Sequence, residues 1–86
     1  MPTIARFYGL IIRMYFKPKE HNPPHVHVIY QDTSFSVAID DLSIIYGDEN
    51  PPSRAYSMVK EWITIHKDEL LNMWNTQEIH ELEPLN

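Results

Sequence analysis

Apolar residues along the first half of the chain recur every second position, and in the second half they change to the spacing of a helix. From Thr3 to Lys17, Tyr8, Leu10, Ile12, Met14 and Phe16 keep period two, with Ile11, Arg13 and Tyr15 on the opposite face. Gly9 interrupts this run and marks either a bulge or a bend between two short strands. The segment 18–24 holds three prolines, which lack the amide donor that a sheet ladder needs, so it reads as a loop. A second strand follows at His25–Tyr30, with His25, His27 and Ile29 on one face and Val26, Val28 and Tyr30 on the other. Gln31-Asp32-Thr33-Ser34 is a polar turn of hairpin length. Beyond it Phe35, Val37 and Ile39 alternate with Ser36, Ala38 and Asp40, and Leu42–Tyr46 forms a short further strand closed by Gly47-Asp48-Glu49-Asn50. Successive hairpin-like connections of this kind predict an antiparallel meander.

The helical spacing begins after Pro51-Pro52-Ser53, where proline suits the first turn and Asn50 or Ser53 is a candidate cap. Steps of 100° place Ala55, Val59, Trp62, His66, Leu70 and Met73 on one stripe, with Lys60, Thr64, Lys67 and Asp68 opposite, and predict a helix to about Asn75. His66 stands where pattern alone expects a leucine and reads as a hydrogen-bonded core residue or a ligand. The tail from Glu78 to Asn86 alternates in a way that suits an edge strand or an ordered arm. The chain therefore reads as one α+β domain over residues 1–86: a small antiparallel sheet of four to five strands with one long amphipathic helix packed on one face.

Composition narrows the class. The 86 residues are 43 % hydrophobic and 12 % aromatic, enough for a core, and without cysteine there is neither a disulfide framework nor a thiolate metal site. The lack of cysteine fits a reducing compartment, and the cytoplasm is expected. The amino end lacks the pattern of an export signal, and no run approaches the roughly 18 apolar residues that cross a bilayer. Net charge is −5, but residues 1–30 carry Arg6, Arg13, Lys17 and Lys19 against Glu20 alone, while the remainder carries three cations against eleven acids. This asymmetry points to an anionic or acidic partner at the amino-terminal third, or to a solvated charge pattern without one.

Candidate chemistry concentrates in His21, His25 and His27. On a strand, His25 and His27 project the same way, roughly 6.6 Å apart along the chain. Three uses compete. The pair can ligate zinc or another divalent ion with a third ligand from His21, His66 or a carboxylate, although His-x-His is a weak signature by itself. It can act as acid and base in metal-independent RNA cleavage, because imidazole holds both protonation states near neutral pH, with Arg13, Arg6 or Lys17 neutralising the phosphate. Or the prolines pin a turn and the imidazoles bond to backbone at a sheet edge, with His21, Arg6, Lys17 and His66 left as a binding surface.

Met1-Pro2-Thr3-Ile4-Ala5-Arg6-Phe7-Tyr8-Gly9, His21-Asn22-Pro23-Pro24-His25-Val26-His27, Val59-Lys60-Glu61-Trp62 with His66, Glu69-Leu70 and Trp74, and Glu83-Pro84-Leu85 occur in that order. Together they resemble the prokaryotic domain-of-unknown-function family numbered 4160, over nearly the whole chain. Val26 stands where that family usually has an aromatic residue, and Glu20 where it has an aspartate. The resemblance implies a small antiparallel sheet with one helix and transfers no catalytic residue. It also implies a genetic context: such genes often neighbour one for a small domain of the family numbered 2442, in pairs resembling toxin–antitoxin modules. A protein partner, and an activity directed at RNA, are the expectations that follow. Operator DNA is a weaker one, since the net charge is negative and no DNA-reading motif is present.

Overall fold

The computed structural model describes residues 2–15 and 23–86. His21, Lys17, Phe16 and the first part of the proline loop lie outside the described residues. The elements are β1 (Thr3–Phe7), β2 (Leu10–Arg13), β3 (His25–Tyr30), β4 (Thr33–Ala38), β5 (Ile44–Gly47) and α1 (Ser53–Thr76). The strands form one antiparallel sheet in the order β1-β2-β3-β4-β5, so each pairs with its neighbours in sequence. This is the meander expected, with five strands and a single long helix.

Local chemistry explains the connections. The Gly9 interruption is a bend: Phe7 pairs with Leu10, leaving Tyr8 and Gly9 as a two-residue hairpin loop with φ of 48° and 82°. Two left-handed residues in succession match the twist of paired strands, and glycine takes the second of them without strain. The next turn is tighter than the four residues predicted. Tyr30 pairs with Thr33 across Gln31-Asp32 alone, so β4 begins and ends two residues earlier than its alternation suggests. Ile39 and Asp40 then belong to the bend before β5, which is held by Leu42 N–H to the Ala38 carbonyl and Ala38 N–H to the Ser43 carbonyl. Gly47 ends β5 at φ 86°, where a Cβ would run into the Ser34 carbonyl and stand 2.8 Å from the Phe35 Cα. Only glycine lets the two strands approach this closely there.

Helix α1 starts without a side-chain cap, since neither Asn50 nor Ser53 bonds the first turn; Pro52 occupies the cap position in an extended conformation. Its buried residues are Ala55, Val59, Trp62, Ile63, Leu70, Met73 and Trp74. They cover the sheet face that carries Leu10, Ile12, Val26, Val28, Phe35 and Val37, all fully or almost fully buried. The rings of Phe7 and Trp62 meet at 6.0 Å and those of Phe35 and Tyr56 at 6.3 Å. Helical geometry breaks at His66 (φ −105°, ψ 16°), which is half-buried rather than in the core.

The helix closes on Gln77 in the left-handed region, its N–H bonded to the Met73 carbonyl. Residues 77–86 then run as an ordered arm without regular secondary structure. Leu82 N–H donates to the Ile4 carbonyl on the outer edge of β1, at 2.8 Å. Trp62 Nε1 and His66 Nε2 both donate to the Glu83 carbonyl, at 2.8 and 2.9 Å. Because a carbonyl only accepts, His66 carries its proton on Nε2. Its role here is to fasten the arm. No helix of the described residues is long and apolar enough to cross a membrane.

Candidate functional site

The sheet face away from α1 carries the polar chemistry, and strand register lines it up. Arg13 of β2 pairs with His27 of β3, His27 with Ser36 of β4, and Ser36 with Tyr46 of β5. Residues directly opposite in an antiparallel pair project to the same side, so these four form a row straight across the sheet. Arg6 lies on the same face, opposite Ile11, in the adjacent row. The structure thus brings together three of the residues proposed from sequence, His27, Arg13 and Arg6, on one surface.

Within the row, the Ser36 hydroxyl lies 3.1 Å from His27 Nδ1. The Tyr15 ring stands edge-on to the imidazole with centroids 4.2 Å apart. Arg13 is half-buried, and its Nε is shut off from solvent without a hydrogen-bond partner among the described residues. A desolvated guanidinium nitrogen is an unmet donor, which favours an anion or an acceptor-rich group near it. A pocket of about 260 Å³ opens beside the row, lined by Tyr15, His27, Ser34, Ser36, Tyr46 and Gly47 among others.

His25 is placed differently from its neighbour. It is 0 % exposed, with its ring 5.2 Å from His27, 5.0 Å from Trp74 and 5.7 Å from Tyr46. Nδ1 bonds the Pro23 carbonyl at 2.8 Å and so carries the ring proton. The two imidazoles are adjacent as the strand periodicity requires, but one is sealed and the other half-exposed. The proline turn supplies the carbonyl that orients His25, and the helix end supplies the indole that closes over it.

His66 lies apart from this surface, on α1 against Trp62 and the arm. Among the described residues no three His, Asp or Glu side chains come together as metal ligands would. Tyr15, Ser36, Tyr46 and Trp74 join the site without having been singled out from sequence. A small polar residue between Phe35 and Val37 was the one local signal for Ser36; Tyr46 needed the β4–β5 register.

A family model described as a domain of unknown function (DUF4160) matches residues 9–75. No curated protein and no solved structure matches the chain.

Proposed function

The chain belongs to the DUF4160 family, whose description assigns no activity, and from its architecture we propose an interaction subunit that docks a small partner protein along the edge of β5. The observation that carries this reading is the unequal treatment of the two sheet edges. At β1 the chain's own arm bonds Ile4, whereas β5 has no strand beyond it among the described residues and carries Tyr46, 51 % exposed. An edge strand beside an exposed aromatic ring suits strand addition by a partner. The partner we assign is the product of an adjacent gene of the family numbered 2442, in a two-gene module resembling toxin–antitoxin pairs. A cytoplasmic setting suits a chain without cysteine. Co-expression should yield a stable complex, and Tyr46→Lys should weaken it at least tenfold, because an edge lysine opposes strand addition. Failure of the two products to associate at micromolar concentration would remove this function.

A metal-independent endoribonuclease is the second reading, favoured by the Arg13–His27–Ser36 row. The sealed position of His25 makes His27 the imidazole that faces a substrate, with His25 behind it and Arg13 near the phosphate. Purified protein should then cleave RNA in the presence of a chelator, and His27→Ala should abolish cleavage. Zinc or another divalent ion held by His25 and His27 is the remaining use, and it predicts stoichiometric metal by elemental analysis that disappears in His27→Ala.

A further inference from the structure

The pocket beside His27 has walls and a floor of distinct chemistry. Tyr15 stands on the β2 side and Tyr46 on the β5 side, with the His27 imidazole and the hydroxyls of Ser34 and Ser36 between them. Its volume of about 260 Å³ falls just under the ~300–1,000 Å³ of pockets that enclose drug-sized ligands. A single planar ring system fits within that volume. We propose that this pocket receives a single unstacked base of single-stranded RNA, held by the tyrosine and imidazole rings and by a hydrogen bond to the exposed Ser34.

Three features favour a base over an aromatic side chain of a protein partner. A phenyl ring has no edge acceptors or donors to match the exposed Ser34 hydroxyl, whereas a base has both. A base also arrives on a phosphodiester, and Arg13 is the register partner of His27 on the neighbouring strand, its buried Nε without a hydrogen-bond partner among the described residues. Arg6 continues the positive charge on the same face, in the part of the chain where cations outnumber acids. Aromatic rings on an antiparallel sheet, flanked by cations that follow the backbone, are the working parts of single-strand recognition. Tyr46 serves both this pocket and the docking edge at β5, whereas Tyr15 lies beyond the end of β2, three strands from that edge, and belongs to the pocket alone.

The test is an NMR titration of the full chain with a short oligouridylate, run beside inorganic phosphate and N-acetylphenylalaninamide. Saturable shifts at the amides of Tyr15, His27, Ser36 and Tyr46 are expected with the oligonucleotide and with neither small probe. Tyr15→Phe should bind as the parent does, and Tyr15→Ala about tenfold more weakly, with thermal midpoints of both variants checked first. Should Tyr15→Ala fail to fold, Tyr46→Ala removes the other wall at an exposed position and should show the same loss. The proposal is overturned if those four amides do not respond to RNA, if phosphate alone reproduces the shifts, if the phenylalanine probe saturates the pocket while RNA does not, or if the alanine variants bind as tightly as the parent. Tyr15→Ala that loses RNA but keeps the partner separates this site from the docking edge; partner capture by a chain that ignores RNA leaves docking standing alone.

Discussion

His25 and His27 are two residues apart on one strand and live in opposite environments. The buried ring has the Pro23 carbonyl as a fixed acceptor and three aromatic neighbours, so replacing it with alanine opens a cavity and removes that bond. A loss of ~2–3 kcal/mol in unfolding free energy is expected for His25→Ala. His27 is half-exposed, and His27→Ala should stay within ~1 kcal/mol of the parent. Denaturant unfolding of both variants checks the contrast. Equal effects would mean that the two rings share one environment. The contrast also sets how activity data are to be read: a lost function in the His27 variant concerns chemistry, and in the His25 variant it is confounded by folding.

At the scale of elements, the turns are held by carboxylates rather than by glycine alone. Asp41 accepts from both the hydroxyl and the N–H of Ser43, and these bonds hold its carboxyl below the ordinary value. Asp48 accepts from the Thr33 hydroxyl and from Asn50 N–H, with the same effect. A carboxyl with a lowered folded-state pKa stabilises the fold fully above its unfolded value, near 3.8, and that contribution is lost as pH falls through the lowered folded-state value. Both ends of β5 should therefore loosen in acid, at a pH where the sheet centre is still intact. Amide exchange at Ser43 and Asn50, followed from pH 6 downward to about pH 2.5, should accelerate relative to Val28 once corrected for the intrinsic pH dependence. Uniform acceleration across the sheet would show instead that acid acts on the whole fold. A strand whose end turns open first is also one that can adjust to a partner.

Across the whole molecule, α1 covers one sheet face, its end closes over His25 on the other, and the arm ties the covered side shut. It reaches from the end of α1 to the first strand, so residues at the two ends of the chain are bonded to each other through Leu82 and Ile4. Leu82, Leu85 and Ile79 pack on the core, and the Glu83 carbonyl accepts from both Trp62 and His66. Truncation after Gln77 removes that acceptor and uncovers the β1 edge. A loss of about 2–4 kcal/mol is expected, together with a new tendency to self-associate through β1. Thermal denaturation and sedimentation velocity read the two effects separately. A truncated chain as stable as the parent would assign the arm no part in holding the fold.

Sequence by itself determined the alternation that makes strands, the 100° stripe that makes α1, an interruption at Gly9 and the likeness to a family of small antiparallel sheets. These are local properties, set by side-chain periodicity and by which residues accept a turn. The common direction of His25 and His27 was legible for the same reason, since a strand has period two. Their burial was not, because it depends on Trp74 arriving from the far end of a helix some fifty positions later in the chain. The row of Arg13, His27, Ser36 and Tyr46 depends on three separate strand registers, and a slip of one residue in any of them would turn a side chain to the other face. His66 shows the same limit: its place on the helical stripe was readable, but the carbonyl it holds comes from the returning arm. Only the tertiary structure decides such contacts, because they join residues whose separation in sequence carries no information about their distance in space.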